Sequence, residues 1–509
     1  MFKRRKSASL IVAGCMLCSN VNPALAEDVK KPLLQLPQVD IVGKRNLDPA
    51  FIKGDFKIEE FLPQEDDARK KDEVSTTSIS NAYGRFATNL YDIIQTARAK
   101  NFYYTAQLNI NDVGGERPNS RFTTYQSSFT LGFLKEETED ISFTARYFNK
   151  IMELPGPDDA PTLNAKRKNN SATIEGTFRH SGDGIDTMIQ PYYTLSDLND
   201  DVSRPDFRNK VMGARMNIEA DETVFDVNVY QDQLEDYYEQ MIAGAKIRLQ
   251  PFVFGEEWRL VLGANLFAQE EFGQRTAPFA EMVFQPNDDT LHKLTLTREF
   301  EPVVFTRTYL DENYVEVNTQ RLRPRRKAGI SYQLDKYVSP EWRTNLLIYA
   351  RQDKDLWFWD DVDSDGLYAP QAIERVNFAG IKLSTEYTWT EAFSHFFSLT
   401  VRRIRSKDSN YEFVPFEPKQ RISLGMTYKF TDRWKLDMVG DYFGRRYFEG
   451  NSKESSSAYF LLGSKLTYEV KDYLTFFVLV DNVLNDHYDI VRKYPNQSTS
   501  AVSGFMIRF

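Results

Sequence analysis

Segments in which apolar and polar side chains alternate recur along most of this 509-residue chain. Between Arg421 and Phe430, for example, Ile422, Leu424 and Met426 alternate with polar or small residues. Successive side chains of a β-strand point to opposite faces, so this period predicts strands with one apolar and one polar face. Each segment has about ten residues or more, the length that a tilted strand needs to cross a bilayer.

The polar face of these segments argues against a soluble β-sandwich. Lys, Arg, Asp and Glu recur at its inward positions, where a soluble core would not tolerate them. Aromatic residues make up 14% of a chain whose mean hydropathy is -0.51, and they cluster near strand ends, as in the girdles of membrane barrels. No run of about twenty apolar residues follows the N-terminal region, so strands must do the spanning. We predict an all-β, transmembrane antiparallel β-barrel.

The connections between the predicted strands alternate between short and long. Short links such as 430–434 and 470–474 alternate with polar stretches such as 353–377 and 485–499. In outer-membrane barrels the short turns are periplasmic and the long loops extracellular. Residues 76–509 provide about 20 to 22 strands, and a barrel of that width encloses a lumen wide enough for a channel or a plug.

The N-terminal residues 1–26 have the pattern of a secretory signal peptide. A basic start and an apolar stretch lead to Ala24-Leu25-Ala26, a small-residue cleavage site. The alternative is a lipoprotein signal at Cys15, which would leave a short apolar segment. Residues 27–75 are polar and highly charged, and we predict a flexible periplasmic segment.

Several functional classes are excluded by composition. The only cysteines, Cys15 and Cys18, lie in the predicted signal, which rules out disulfides and thiolate metal sites in the exported chain. The net charge of -9 argues against nucleic acid as a partner. Four scattered histidines and the lack of a nucleophile motif predict no catalytic residues and no enzyme.

The C-terminal third resembles TonB-dependent receptors. The strand from Phe476 runs into Asp481-Asn482-Val483-Leu484-Asn485-Asp486-His487-Tyr488, which is similar to the family's N-L-F-D-x-x-Y, and Tyr494-Pro495 precedes the last strand. Gly504, Ile507 and Phe509 resemble the signal that the outer-membrane assembly machinery reads. Further similarities lie at Val414-Pro415, at Leu322-Arg323-Pro324 and at Glu153-Leu154-Pro155-Gly156-Pro157.

The resemblance departs from the family at the N-terminal side. A receptor of this kind places a plug domain before its barrel, and here the predicted strands begin too early for a complete one. The stretch around Val39, Ile41 and Val42 resembles the front end of that plug. It would be a plug remnant or a periplasmic docking strand, which implies TonB or a separate plug protein as partner; the alternative is an apolar patch in a disordered tail.

Two clusters of charge are candidate sites. Asp361, Asp363 and Asp365 have the spacing of a calcium loop, although a solvated acidic loop is the alternative because no Glu follows at the twelfth position. No other cofactor is expected. A basic run would either line the lumen and select anions or meet lipopolysaccharide phosphates at the rim; its members are Arg321, Arg323, Arg325, Arg326 and Lys327.

These features predict a protein of the Gram-negative outer membrane with both termini periplasmic, in contact with outer-membrane lipid and lipopolysaccharide. The function expected from the resemblance is transport of a solute through the polar lumen, either passively or with a separate plug and energy-coupling partner. The alternative is a surface-binding or structural barrel that uses its long extracellular loops.

Overall fold

A computed structural model describes residues 74–509, apart from 136–137, 183, 202–206, 236, 303–321, 362–368 and 497. The predicted signal peptide, nearly all of the N-terminal segment and the docking stretch at Val39, Ile41 and Val42 therefore lie outside the described residues. The strands are β1 (Val74–Gly84), β2 (Thr88–Ala99), β3 (Phe102–Val113), β4 (Phe122–Lys135), β5 (Glu139–Glu153), β6 (Lys166–Gly182), β7 (Ile185–Asp200), β8 (Phe207–Ala220), β9 (Thr223–Leu234), β10 (Tyr238–Arg248), β11 (Phe252–Phe254), β12 (Trp258–Gln269), β13 (Gly273–Asn287), β14 (Thr290–Glu301), β15 (Arg325–Ser339), β16 (Trp342–Asp360), β17 (Ala369–Thr390), β18 (Phe393–Ser406), β19 (Gln420–Lys429), β20 (Trp434–Phe443), β21 (Tyr459–Lys471), β22 (Leu474–Asp481), β23 (Asp489–Val491), β24 (Tyr494–Pro495) and β25 (Ser500–Arg508).

The strands form one closed antiparallel barrel of 22 wall strands, which confirms the predicted fold class. Each wall strand pairs with its neighbours in sequence, and β25 closes the ring by pairing with both β22 and β1. The short β11 adds to β12, and β23 and β24 form a separate hairpin. Among the described residues no helix is long and apolar enough to span a membrane.

The two faces of the wall differ as the alternation predicted. Ile348 and Ile381 lie opposite each other on β16 and β17, and both side chains point outward with more than 40% of their surface exposed to a bilayer. On β15 the inward positions Ser331, Gln333 and Asp335 are polar and buried within the barrel. The apolar surface therefore faces lipid, and the lumen is lined by polar side chains.

The seam between β1 and β25 requires a glycine. Gly504 lies opposite Ala82, and a Cβ atom on it would come within 2.3 Å of the Asn81 carbonyl oxygen. At the strand end Phe509 pairs through its backbone with Thr77, while its ring is 70% exposed. Recognition of Gly504, Ile507 and Phe509 by the assembly machinery stays a prediction.

The alternation of short turns and long loops holds along most of the wall, with one correction. The stretch 353–377 was predicted as a loop, but β16 continues to Asp360 and β17 begins at Ala369. Asp355 has a positive φ of 54° and is not paired across the ladder, although the register between β16 and β17 is the same before and after it. Beyond it both faces of the strand are buried by other loops, as at Phe358 and Trp359, and the pattern of one lipid face disappears.

Replacing Ile381 by Lys tests the outward face. A cation near the middle of the lipid-facing band should lower the free energy of unfolding by about 2 to 4 kcal/mol. Urea unfolding of the barrel in lipid vesicles, followed by tryptophan fluorescence, measures this. Ser384→Lys, an inward position of the same strand, is the control and should change stability far less; equal losses in the two variants would contradict the assigned faces.

Candidate functional site at the extracellular mouth

The connection from β22 to β25 folds across the loop end of the barrel. We call residues 482–499, apart from the undescribed 497, the lid; it carries the β23–β24 hairpin, whose turn contains Lys493 with a φ of 63°. In this segment the backbone reverses twice within a few residues, which asparagine tolerates better than most residues. Asn482 and Asn485 both have positive φ, of 47° and 52°.

The base of the lid is held by the motif that resembles N-L-F-D-x-x-Y. The Asn482 amide donates to the Asp486 carbonyl, and the Asp486 N–H donates back to the Asn482 side chain, both at 2.9 Å. The Asp486 carboxylate accepts a hydrogen bond from the Phe460 N–H at 2.9 Å. These bonds attach the start of the lid to the top of β21 and direct the following residues inward.

One buried apolar cluster joins the lid to opposite sides of the wall. We call it the mouth cluster. Since β11 is not a wall strand, β8 is the eighth and β20 the nineteenth of the 22 wall strands, half a turn of the barrel apart. The cluster therefore spans the mouth; its members are Leu198, Phe207 and Leu234 of β7 to β9, Trp359, Phe443 and Tyr459 of β16, β20 and β21, and Tyr488, Val491 and Tyr494 of the lid.

Aromatic stacking anchors the lid within this cluster. The ring of Tyr488 stacks on Tyr459 with 4.3 Å between centroids, and Tyr459 stacks on Phe443 at 5.0 Å. The buried guanidinium of Arg446 lies 5.1 Å from the centroid of Tyr459, the middle ring of this stack, and donates to the Tyr459 hydroxyl. Burial raises the pKa of the Tyr488 hydroxyl above its ordinary value, so this residue is neutral and acts as an apolar anchor.

Polar contacts attach the lid to three other extracellular loops. The Lys493 carbonyl accepts a hydrogen bond from the Asp158 N–H at 2.9 Å, and its ammonium pairs with Asp159 at 2.6 Å. Arg492 pairs with Glu449 and Glu454 at 2.9 and 2.8 Å. The Ser498 N–H donates to Glu116 at 2.7 Å. Most of these side chains are partly exposed, so each contact stabilises the position of the lid by about 1 kcal/mol or less.

An ion network lies on the inward face of β14 to β16. Asp353 is fully buried and accepts hydrogen bonds from the Arg325 guanidinium, and its second oxygen lies 2.8 Å from Arg351 Nε. Lys327 Nζ lies 2.7 Å from Glu301. Three cations and two carboxylates thus neutralise most of each other's charge inside the barrel.

The predicted basic run is not one site. Arg325 and Lys327 belong to the inward ion network, whereas Arg326 points outward and pairs with Asp355 at 2.6 Å. Arg323 is exposed before the strand begins, and Arg321 lies outside the described residues. Alternation along a strand separates neighbours that the sequence places together.

The predicted calcium loop falls mainly on undescribed residues. Asp361 follows β16 at the mouth, whereas Asp363 and Asp365 lie within 362–368. In the described part of the chain no group of three His, Cys, Asp or Glu side chains is placed to hold a metal ion. The calcium site stays a prediction.

Comparison with known proteins gives a clear result for the fold. No protein-family model and no curated protein matches the sequence. Solved structures do match the barrel: the FrpB iron transporter from Neisseria meningitidis has a TM-score of 0.70 at 11% identity, covering 88% of this chain and 83% of that one.

Two further structures give similar values. The copper transporter OprC has a TM-score of 0.69 at 14% identity, covering 86% of this chain and 81% of that one. The siderophore receptor PirA from Acinetobacter baumannii has a TM-score of 0.68 at 11% identity, with coverages of 86% and 81%. The chain has the barrel fold of TonB-dependent outer-membrane receptors. Its lid is the connection before the last strand of this receptor-type barrel.

Asp353→Asn tests the inward ion network. Removing this charge leaves Arg325 and Arg351 buried with one carboxylate fewer, and the free energy of unfolding should fall by about 3 to 5 kcal/mol. Urea unfolding measures the change. Glu139→Gln breaks the exposed pair with Lys135 and serves as control, with an expected loss of about 1 kcal/mol or less.

The mouth should also respond to pH through Asp360, which accepts a hydrogen bond from the Gly450 N–H at 3.4 Å. Burial raises the pKa of this carboxyl from its usual 3.8 to about 6, and the negative charges of Glu449 and Asp361 add to the effect. The protonated carboxyl stabilises the folded mouth. This stabilisation is complete when the pH is below the pKa of the unfolded carboxyl, and it is lost as the pH rises through the folded pKa of about 6.

Hydrogen exchange of loop 444–458 measures this effect, corrected for the intrinsic dependence of exchange on pH. Protection should be greater at a pH near 5 than near 8, and Asp360→Asn should remove the difference. An equal pH dependence in the variant would assign the effect to another group.

Proposed function

We propose that this chain is an outer-membrane transporter in which a solute crosses the polar lumen and the lid is the gate at the extracellular mouth. The observation that carries the proposal is the mouth cluster, which joins the lid to strands half a turn of the barrel apart. A connection that served only to link β22 to β25 would not need to cross the opening.

The polar lumen supports passage of a hydrophilic solute. Inward hydrogen-bonded side chains continue around the wall, as where Asn209 donates to Asp232 at 2.7 Å and Gln240 to the same carboxylate at 3.2 Å. The similar solved structures are named as iron and copper transporters and as a siderophore receptor. We infer transport of the same broad kind, with the substrate left open.

The mode of opening follows from how the mouth is closed. Opening the lid requires the removal of Tyr488, Val491 and Tyr494 from apolar surroundings, so a bound solute or a periplasmic partner has to favour the open state. The stretch at Val39, Ile41 and Val42 supports a partner of the TonB type or a separate plug chain. Purely passive leakage is the less favoured mode.

A cross-link between lid and wall tests the gate. Because Asp158 N–H and Lys493 C=O are hydrogen-bonded, cysteines at these two positions lie close enough to form a disulfide or to be bridged by a short thiol reagent. The full chain with Asp158→Cys and Lys493→Cys, recorded in planar bilayers, should conduct only when reduced, whereas oxidation should abolish openings.

Two controls make this test decisive. A cross-strand pair at Glu139 and His180, which lie opposite each other at the short-turn end of β5 and β6, should leave conductance independent of oxidation when both are changed to Cys. Replacing residues 487–498 by a Gly/Ser segment of equal length should raise the open probability.

Openings that persist in the oxidised lid variant would remove the gating role from the lid. A barrel that stays closed after lid replacement would remove the transport role. That second outcome favours the other candidate, a surface-binding barrel, which the contacts of the lid with three extracellular loops also support.

A further inference from the structure

The outward face of β15 to β18 carries a group of cations at its extracellular end. Across these strands Arg326 lies opposite Lys354, and Lys354 lies opposite Arg375. The Lys407 N–H donates to the Arg375 carbonyl, which places Lys407 beside the same row. We call this group the outer basic belt; its members are Arg326, Lys354, Arg375, Arg403, Arg405 and Lys407.

Register places the belt directly above the lipid-facing surface. Two residues below the first row, Asn377 lies opposite Arg405, and two further down Ala379 lies opposite Arg403. The next row below contains Ile381 opposite Val401, both largely exposed on the outside of the barrel. The belt and the apolar surface therefore share one outward face, with the cations toward the loop end.

The height of the belt corresponds to one membrane thickness. Trp342, with Tyr387 opposite, belongs to the aromatic girdle at the short-turn end, and β16 runs from Trp342 to Lys354 without a register shift. Those twelve residues, at about 3.3 Å each and a tilt of about 40°, cover about 30 Å along the membrane normal. An apolar band is about 25 Å tall, so the row at Lys354 lies in the headgroup layer of the outer leaflet. Arg405 and Arg403, two and four residues lower, stand at the upper edge of the apolar band, from which a long side chain reaches the headgroups.

The described residues leave much of this charge unneutralised. Arg403, Arg405 and Lys407 are exposed and form no ion pair in the described part of the chain. Arg375 Nε is buried without a hydrogen-bond partner there. Asp355 neutralises Arg326. Of the other carboxylates nearby, Asp408 accepts a hydrogen bond from the Glu374 N–H, and Glu412 lies beside Arg405 and Lys407 without an ion pair to either in the described part of the chain.

On the opposite side of the barrel the outward cations are balanced differently. Arg208 of β8 pairs with Asp197 at 2.7 Å and lies 4.0 Å from Glu235. Nearby carboxylates therefore neutralise Arg208, whereas Arg403, Arg405 and Lys407 form no such pair in the described part of the chain.

We propose that the outer basic belt binds the lipid A phosphates of lipopolysaccharide in the outer leaflet. Guanidinium groups bind phosphate with paired, charge-assisted hydrogen bonds. A ligand that combines phosphate with acyl chains fits a belt that stands immediately above an apolar surface, whereas a soluble anion would use only the cations. The proposal rests on the orientation of the barrel and is independent of transport through the lumen.

Binding of fluorescent rough-type lipopolysaccharide to the purified full-length barrel in detergent tests this assignment. The triple variant Arg403→Gln, Arg405→Gln and Lys407→Gln should bind about tenfold more weakly than the wild type, because three cationic side chains that would bind phosphate are lost. These side chains are exposed on the outside of the wall, and unfolding in urea checks that the variant retains the stability of the wild type.

The control carries the same change of charge at the short-turn end of the barrel: Lys336→Gln, Lys429→Gln and Lys471→Gln, exposed positions toward the ends of β15, β19 and β21, should leave binding unchanged. Lipopolysaccharide stripped of its phosphates should bind the wild type as weakly as the triple variant binds the intact lipid. Equal weakening by the two triple variants, or undiminished binding of the stripped lipid, would overturn the proposal. Competition by inorganic phosphate alone, at concentrations equal to those of the lipid, would reassign the belt to soluble anions.

Discussion

The need to pair every backbone N–H and C=O within lipid is the constraint on which the rest of this structure depends. An open sheet would leave two unpaired edges in the bilayer, so β25 must meet β1. That seam admits only a small residue at Gly504, where the Asn81 carbonyl lies in the way of any Cβ. Closure also fixes the register, and the register decides which side chains face lipid and which face the lumen.

The wall could be predicted from the sequence because its two environments differ so strongly. Where lipid lies on one side and polar contents on the other, alternation is strict, as around Ile381. Above the membrane that difference ends, because both faces of β16 are buried near Phe358, and the sequence pattern there predicts a loop where the strand continues to Asp360. The motif at Asn482 was visible, but its partners at Leu198 and Phe207 lie far away in sequence, and only folding brings them together.

The basic run shows how one short sequence serves two environments. Arg325 and Lys327 are buried inside the barrel, and burying their charges would destabilise the fold without Asp353 and Glu301 as partners. Arg326, between them, reaches the outer surface. Composition could identify the excess of charge but not its division between the faces. That division follows from where β15 begins, and the ends of strands are the least predictable part of a sequence pattern.

The energetics of the lid bear on how a barrel of this kind would open. Its ion pairs are partly exposed and worth about 1 kcal/mol or less each, so salt or pH alone would loosen them without releasing the lid. Exposing Tyr488, Val491 and Tyr494 would cost about 1.5 to 3 kcal/mol for each side chain, or about 5 to 9 kcal/mol together. Bringing such an equilibrium to 99:1 in favour of the open state would take that cost plus about 2.7 kcal/mol, or about 8 to 12 kcal/mol. If the lid is the gate, a solute or partner would have to bind the open state with micromolar to nanomolar affinity to hold the mouth open, and thermal fluctuation alone would leave it almost always closed.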